Sequence, residues 1–528
     1  MNQQTITISH SINIRLFAPF LLGTTLLASC GSRTETVSDT HVPNIIYILA
    51  DDLGYGELGS YGQKLIETPN LDWLASQGMR FTDHYSGSSV CAPSRCVLLT
   101  GKHTGQAQIR GNYEWSERGD VWNYHEVLKN PELEGQLPME TGTITIASLL
   151  RDGGYRTAMF GKWGLGGPTM HSTPTQMGFD FFLGYNCQRQ AHTYYPVHLY
   201  KNDERILLGN DTISPREKLP EGADPYDQES YQAITSRVYS PDVMFDGLTS
   251  FIMDNDPGKT GMPFFIYWAT PLPHVPLQAP QRWVDYYLDK FGDEEPFPGV
   301  GAYFPARYPR ATYAAMVSYL DENIGKMIDQ LKVLGLYENT LILFSSDNGP
   351  SFTGGSDSPW FGSGGPFKSE RGWGKTFLHE GGIRVPMIAS WPGHIEPGTV
   401  SNHISAFWDV MPTLCEVAGI EPPGNTNGIS FLPELTGQEQ PQHEYLYWEQ
   451  PPNQQAVRID DWKGLRKNLG AGDLTLQLFN LKSDPAEQND LASQYPEIVE
   501  QVERIMVEAR TTPRLKPFRM AALGDPTE

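Results

Sequence analysis

Basic residues and cysteines are scarce in this chain, and their scarcity argues against several classes of protein. The 528 residues include 39 lysines and arginines against 62 aspartates and glutamates, which gives a net charge of −23. This balance argues against a nucleic-acid partner, because binding a phosphate backbone requires a broad basic surface. The five cysteines include no Cys-x-x-Cys pair, so neither a zinc site nor a disulfide framework is indicated. Cys96, Cys187 and Cys415 are interpreted as small buried hydrophobic residues.

The composition is that of a folded protein with a sizeable core. Hydrophobic residues make up 39% of the chain, and 12 Trp, 25 Tyr and 23 Phe are among them. The length predicts one large domain with a smaller one. Because the surface is acidic, an anionic ligand would have to be attracted by a local cluster of Arg, Lys, His and metal.

An apolar run near the start of the chain predicts export. Residues 16–27 follow Arg15 and are too few to span a bilayer as a stable helix, so residues 1–29 are predicted to be a signal peptide. The run ends at Leu27-Ala28-Ser29-Cys30, which resembles the lipobox of bacterial lipoproteins. That resemblance implies lipidation of Cys30, a tether over residues 30–41, and a periplasmic or outer-membrane (cell-surface) location. The membrane would be contacted through the lipid anchor only; an ordinary cleaved signal peptide is the alternative.

From residue 42 onwards, short apolar runs alternate with helical patterns, which is typical of an α/β fold with a mostly parallel central sheet flanked by helices. Strands are predicted over residues 44–50, 155–160, 264–269 and 341–346, and helices over residues 144–151 and 313–334. After about residue 435 the pattern changes to short strands at 445–448, 456–458 and 476–481 and a helix at 496–510. We therefore predict a main domain over residues 42–435 and a C-terminal α+β subdomain with an antiparallel sheet over residues 436–528.

Polar side chains follow all four predicted strands of the main domain. They are Asp51 and Asp52, Lys162, His274, and Asp347 and Asn348. Because ligands bind beyond the carboxyl ends of strands in parallel α/β sheets, these residues predict one active site. The Asp and Asn residues offer only oxygen ligands, which suit calcium or magnesium and are poor for zinc. A single Asp after a strand is more often a helix cap, but two adjacent pairs favour a metal site.

The segment Cys91-Ala92-Pro93-Ser94-Arg95 predicts an anion site at the start of a helix. Pro93 suits the first helical turn, where free backbone N–H groups favour a bound anion. Arg95 adds a charged fork of donors for sulfate or phosphate oxygens. From these residues alone, the Cys91 thiol is the candidate nucleophile.

This segment, followed by Thr100-Gly101, resembles the signature of type I formylglycine-dependent sulfatases of the alkaline phosphatase superfamily. The resemblance extends over nearly the whole chain after residue 42. The other matching motifs are Ala50-Asp51-Asp52-Leu53-Gly54-Tyr55-Gly56, Thr68-Pro69-Asn70-Leu71-Asp72, Gly161-Lys162-Trp163, Ser346-Asp347-Asn348-Gly349 and Glu380-Gly381-Gly382-Ile383-Arg384-Val385-Pro386.

The resemblance implies that a formylglycine-generating maturation enzyme converts Cys91 to formylglycine (3-oxoalanine), whose hydrated form attacks sulfur. It also implies one calcium ion bound by Asp51, Asp52, Asp347, Asn348 and the oxygen that replaces the Cys91 sulfur. Arg95, Lys162 and Lys375 would neutralise the sulfate, and His274 would protonate the leaving oxygen. A single Lys or His is more often a surface charge or a structural residue, but the family motifs favour these roles.

One departure from the family pattern concerns aldehyde regeneration. Many relatives have Gly-Lys-Trp-His-Leu-Gly where this chain has Gly164 in the fourth position. His192 and His103 are the candidates to replace that histidine, and His192 is preferred. Its aromatic neighbours are equally consistent with a sugar-stacking wall or with core.

A sulfated polysaccharide or oligosaccharide, of galactose type, is the expected substrate. A mobile loop over residues 351–374 is predicted to border the site, with Trp360, Phe361 and Trp373 stacking on sugars or packing within the loop. A phosphonate monoester or phosphodiester hydrolase of the same superfamily is one alternative, although those enzymes have metal sites richer in His. An inactive glycan-binding lipoprotein is the other, and the complete set of site residues speaks against it.

Overall fold

The computed structural model describes residues 42–301 and 303–526. The predicted signal peptide, Cys30 and the tether lie outside the described residues, so lipidation and location stay predictions. Across the described ranges, no helix is both long enough and apolar enough to cross a membrane.

A large mixed sheet forms the centre of the main part of the chain. Its strands are β1 (Asn44–Ala50), β2 (Met79–Phe81), β4 (Arg156–Lys162), β5 (Phe181–Tyr185), β6 (His198–Lys201), β7 (Glu204–Leu207), β8 (Phe264–Ala269), β9 (Thr340–Ser346), β10 (Met387–Ser390) and β11 (Thr399–Ser401), while β3 (His84–Tyr85) pairs with β12 (Ser405–Ala406). Across the sheet the strand order is β11-β2-β10-β9-β1-β8-β4-β5-β6-β7. The central strands β9, β1, β8, β4 and β5 are mutually parallel, and antiparallel pairs lie towards both edges.

The central strand β1 is buried on both faces, which explains its continuous apolar sequence. Ile45, Tyr47 and Leu49 point into one hydrophobic layer, and the alternate residues point into the other. Ile48 lies opposite Trp268 of β8 and Phe344 of β9. The middle of the sheet is therefore held by apolar contacts on both faces, and the carboxyl ends of its parallel strands lie next to one another.

Helices cover both faces of this sheet, as predicted. The helices are α1 (Pro69–Ser76), α2 (Cys91–Thr100), α3 (Tyr124–Lys129), α4 (Ile146–Asp152), α5 (Ser240–Asp254), α6 (Pro257–Thr260), α7 (Gln281–Phe291), α8 (Pro309–Val333), α9 (Ser358–Phe361), α10 (Glu380–Ile383), α11 (Val410–Val417), α12 (Leu432–Leu435) and α13 (Pro496–Glu508). The layer around Ile45 includes residues of α2, α4 and α11, whereas α1, α5 and α8 contribute to the other layer.

The C-terminal segment forms a four-stranded antiparallel sheet with α13 packed on it. Its strands are β13 (Leu446–Gln450), β14 (Gln454–Ile459), β15 (Trp462–Arg466) and β16 (Leu476–Asn480). The predicted fold class is therefore confirmed. The predicted strands 44–50 and 264–269 match in both bounds, and the other predicted elements differ by a few residues at their ends. Strand β15 was not predicted.

Candidate active site

Backbone hydrogen bonds join the ends of β1, β8 and β9 at one edge of the sheet. The Asp51 N–H donates to the Leu272 carbonyl after β8 at 2.9 Å, and the Asp347 N–H donates to the Ala50 carbonyl at 3.0 Å. Asp52 has φ 65°, a left-handed conformation, and its N–H donates to Asp347 Oδ1 at 3.1 Å. The residues that follow three separate strands are thereby brought together, as the sequence predicts.

Two lysines neutralise the first acidic pair. Lys162 Nζ lies 2.5 Å from Asp51 Oδ2, and Lys375 Nζ lies 2.6 Å from Asp52 Oδ2. Burial acts to raise the pKa of Asp51, but Lys162 and the other cations outweigh burial and hold the pKa well below its usual range. Both lysines line the cavity described below, which is the position expected of groups that bind a sulfate.

Arg95 is buried among the carboxylates of the site. Its Nε and Nη2 donate to Asp347 Oδ2 at 3.1 and 2.8 Å, and its Nη1 donates to the Lys162 carbonyl at 2.6 Å. Its Nη2 is also 3.3 Å from Asp51 Oδ2, and the residue is fully buried. The guanidinium therefore holds two of the carboxylates of the site in place, and its predicted role in neutralising the sulfate stays a prediction.

Cys91 is the first residue of α2 and faces the carboxylates. Its Sγ lies 3.4 Å from Asp51 Oδ1, and the next N–H, that of Ala92, donates to Asn112 Oδ1 at 2.9 Å. Burial and the charge of Asp51 raise the pKa of the thiol well above its usual range. A thiolate is therefore disfavoured at this position, unlike in enzymes that use cysteine itself as the nucleophile. Cys96, Cys187 and Cys415 are also buried and unbridged, as predicted.

His274 and His192 lie together beside this cluster. Their rings stack with centroids 5.3 Å apart, and His274 Nε2 is 3.6 Å from Asp52 Oδ2. The His274 Nδ1 faces the Val275 carbonyl, which can only accept, so Nδ1 carries a hydrogen. Burial lowers the pKa of both rings, with Lys375 adding to the effect at His274 and His274 adding to it at His192. Both imidazoles are therefore neutral at pH 7 in this arrangement.

The acidic residues fit a hard cation. Ligand atoms of Asp51, Asp52, Cys91 and His274 all lie within 4.8 Å of one another. The Asn348 amide donates to Asp52 Oδ1 at 2.8 Å, but its own buried Oδ1 has no hydrogen-bond partner. A buried carbonyl oxygen without a partner is costly unless a cation or water satisfies it. Burial, together with the negative charge of Asp51, also raises the pKa of Asp347 to about 6, so these crowded carboxylates favour a bound positive charge.

A cavity of about 510 Å³ opens in front of Cys91 and is lined by the lysines and histidines already described. Sequence reasoning missed several other lining residues. These are Asn112, Tyr113, Glu114, Trp122, Gln188, Arg189 and Tyr303. They come from loops and from the short 3-10 helix Gln188–His192, all outside the family motifs, so no pattern in the sequence marks them.

Gln188 occupies the space beside Gly164. A Cβ added to Gly164 would lie 3.0 Å from the Gln188 Cγ, and Gly164 has φ 77°, a conformation that side chains rarely adopt. His192 lines the cavity, whereas the His103 ring packs against Trp408 and Tyr447 away from it. Of the two candidate replacements, only His192 is near the site, and Gln188 fills the position itself.

The tryptophans predicted to stack on sugars lie outside this cavity. Trp360 packs against Phe361 and Phe291, and Trp373 packs against His379 at 4.3 Å between ring centroids. The segment over residues 351–374 includes α9, and none of its residues lines the cavity, whereas the adjacent Lys375 does. The structure thus favours the alternative of packing within this segment, and the aromatic residues of the cavity are Tyr113, Trp122 and Tyr303.

Comparisons with known proteins agree with this geometry. The family described as Sulfatase matches residues 43–420, and the family described as N-sulphoglucosamine sulphohydrolase, C-terminal, matches residues 369–512. Bovine (Bos taurus) Arylsulfatase A is 31% identical over 92% of this chain and 92% of its own length. The N-acetylgalactosamine-6-O-sulfatase of Bacteroides thetaiotaomicron is 28% identical over 94% of this chain and 99% of its own.

Solved structures agree as well. The crystal structure of Ps i-CgsB in complex with k-i-k-neocarrahexaose is 26% identical, with a TM-score of 0.67 over 89% of this chain and 94% of that one. Family, relatives and fold together identify a sulfuric ester hydrolase: the chain belongs to the sulfatase family.

Proposed function

We propose that this protein removes sulfate from sulfated carbohydrates, using a formylglycine made from Cys91 and one bound calcium ion. The observation that carries the proposal is the position of Cys91. Its side chain lies at the floor of the cavity, 3.4 Å from Asp51, with Lys162 and Lys375 beside it. A hydrated aldehyde at this position would supply a nucleophilic oxygen that the buried, protonated thiol does not.

Asp51, Asp52, Asp347 and Asn348, with the formylglycine oxygen, would hold the calcium ion. All of these protein ligands are oxygens, which suits calcium, and the unpartnered Asn348 Oδ1 would gain a partner. The ion would supply Lewis-acid stabilisation of the sulfate oxygens. Arg95 would keep Asp51 and Asp347 in place for this role through its contacts from behind.

Lys162 and Lys375 would bind the sulfate as negative charge builds on its oxygens. Both are held within hydrogen-bonding distance of carboxylates, so their positions are set before the substrate arrives. His274 would donate a proton from Nε2 to the leaving oxygen. An anionic ester beside the ring favours the imidazolium and so offsets the effect of burial on its pKa.

A carbohydrate substrate is supported by the cavity and by the relatives. Tyr113, Trp122 and Tyr303 offer aromatic surface to sugar rings, and Asn112 and Gln188 offer hydrogen-bonding groups for hydroxyls. The Bacteroides relative is named for a sulfated N-acetylgalactosamine, and Ps i-CgsB was crystallised with an oligosaccharide.

The proposal predicts preference for sulfate over phosphorus esters. Matured protein should release sulfate from an aryl sulfate or a sulfated disaccharide about 100-fold faster than phosphate or phosphonate from the matched esters. A phosphate monoester differs from a sulfate ester by a second negative charge, and a phosphonate monoester has one fewer oxygen for Lys162, Lys375 and the ion to bind. Ion chromatography of the released anion measures this. The opposite preference would favour a phosphonate or phosphodiester hydrolase, and release of neither anion would favour an inactive binding protein.

Calcium binding is predicted to be visible without any activity. Saturating calcium should raise the melting temperature, since binding at 100 times the Kd stabilises the folded state by about 2.7 kcal/mol, and a chelator should reverse the rise. Asn348→Ala should reduce the calcium-dependent shift because it removes the unpartnered ligand oxygen. Asn489→Ala, at an exposed asparagine, is the control and should keep the full shift. An equal shift in both variants would contradict the site.

A further inference from the structure

A second groove adjoins the active-site cavity. It is lined by Trp122, Arg189, Gln190, His192 and Arg216, with a few neighbours. Trp122, Arg189 and His192 line both the groove and the cavity, so the two spaces are neighbours that share these three side chains. A ligand bound at Cys91 that extends past these side chains would reach the groove.

The short 3-10 helix Gln188–His192 forms the wall between the two spaces. Gln188 faces the cavity and Gln190 faces the groove, while Arg189 and His192 contact both. Both glutamines are buried, and each has one side-chain atom without a hydrogen-bond partner: Gln188 Nε2 and Gln190 Oε1. Buried polar atoms without partners are costly, and here they line spaces that a ligand can fill.

Two arginines lie against the exposed Trp122. The guanidinium carbons of Arg189 and Arg216 are 5.4 and 5.0 Å from its ring centroid, and 48% of the Trp122 surface is exposed. Arg189 is neutralised by Glu114, whose Oε2 is 2.5 Å from its Nε. Arg216 is different: among the described residues, no carboxylate lies within ion-pairing distance of it.

Contact with Trp122 places the Arg216 guanidinium at the groove, where its N–H groups are available to an anion. Such a preset, unpaired cation is notable in a chain of net charge −23, whose overall field repels polyanions. A polyanionic substrate needs local positive charge to approach this cavity, and the neighbouring groove supplies it.

We infer that the groove of Trp122, Arg189, Gln190 and Arg216 is a subsite for a second sugar that carries its own anionic group. The inference rests on the proposed function and narrows it to oligosaccharides with a sulfate or carboxylate next to the sulfate that is removed. Arg216 binds that second anion, Trp122 covers the sugar ring, and Gln190 Oε1 accepts a hydrogen bond from a hydroxyl.

The test compares probes that differ in reach and charge. They are nitrophenyl sulfate and three disaccharides that carry the sulfate to be removed. The first disaccharide has no other charge, the second has another sulfate on the neighbouring sugar, and the third has a carboxylate on the neighbouring sugar. Arg216→Ala should lower kcat/KM for a doubly anionic disaccharide about 10- to 100-fold more than for nitrophenyl sulfate, the loss expected for a hydrogen bond to a charged group. Comparing the sulfate and carboxylate probes identifies which anion the subsite binds.

Two further variants sharpen the result. Trp122→Ala should lower kcat/KM for all three disaccharides relative to nitrophenyl sulfate, and most strongly for the doubly anionic ones, because it also releases Arg216. Arg504→Ala, at an exposed arginine of α13, is the matched control and should change none of the ratios. Equal losses on all four probes, or none, would overturn the subsite. If the unaltered protein releases sulfate from none of the four probes, the proposed function is overturned instead.

Discussion

Replacing Cys91 by alanine is expected to lower kcat for sulfate-ester hydrolysis by about 10⁴-fold or more, the usual cost of removing a nucleophile that acts with its neighbours as a unit. The charged neighbours of Cys91 are engaged in other contacts. Lys162 and Lys375 are each paired to a carboxylate, and Arg95 is buried behind Asp51. The variant should still fold, because an alanine side chain is smaller than the thiol and its removal breaks only a 3.4 Å contact.

Cys96 provides the matched control on the same helix. It is fully buried but faces the hydrophobic layer and not the cavity, so Cys96→Ala should retain most of the activity. Trypsin separates the two cysteines, since residues 81–95 and 96–102 are consecutive tryptic peptides. In active protein, the peptide 81–95 should have the mass of the aldehyde and the peptide 96–102 that of an ordinary cysteine. Full activity with an unmodified thiol at Cys91 would refute the formylglycine.

The fold could be predicted where burial leaves a simple pattern. Strand β8 is apolar throughout and β1 is apolar after Asn44 because both of their faces are covered, and both were predicted to the residue. Strand β15 was missed because its sequence, Trp462-Lys463-Gly464-Leu465-Arg466, lacks the alternation of a half-buried strand: Lys463 and Leu465 are on the same face. Its Lys463 is nevertheless completely buried, where it pairs with Glu380 and Glu487. Both partners are distant in the sequence, so the pattern around Lys463 does not indicate its burial.

The site was predictable to the extent that strand ends determine it. Asp51, Asp52 and Asp347 follow central parallel strands, so their meeting follows from the topology. Contacts made by long side chains do not follow from topology. Nothing in the sequence shows that Arg95 is fully occupied by Asp51, Asp347 and a carbonyl, or that Gln188 fills the space at Gly164.

The buried Lys463 joins the C-terminal sheet to the main domain. Its Nζ lies 2.8 Å from Glu380 Oε1 and 3.0 Å from Glu487 Oε1, and Glu380 begins α10 within a family motif. Burial acts to raise the pKa of Glu380, but Lys463 and two arginines outweigh burial and lower the pKa to about 2. Burial raises the pKa of Glu487 to about 7 in spite of Lys463. One ammonium group thus serves two buried carboxyls.

Lys463→Met is therefore expected to destabilise the protein by about 3–5 kcal/mol, the cost of leaving a buried charge without its partner. The loss should grow with pH. Without Lys463, the folded-state pKa of Glu487 rises further above its unfolded value, and the pKa of Glu380 rises from its depressed value because it loses its main attraction. The folded variant then binds more protons than the unfolded one, so its stability falls as pH rises through that interval. Urea denaturation at about pH 5 and about pH 8, followed by tryptophan fluorescence, measures both effects.

The control for this prediction is Lys482→Met, in the same subdomain. The Lys482 side chain is 80% exposed and its nearest carboxylate, on Asp461, is 4.0 Å away, so its loss should change stability by less than about 1 kcal/mol at either pH. A Lys463→Met deficit as small as this would mean that water or protonation already satisfies Glu380 and Glu487. A large deficit that is the same at both pH values would instead assign Lys463 to packing, because methionine keeps the length of the side chain but not its charge.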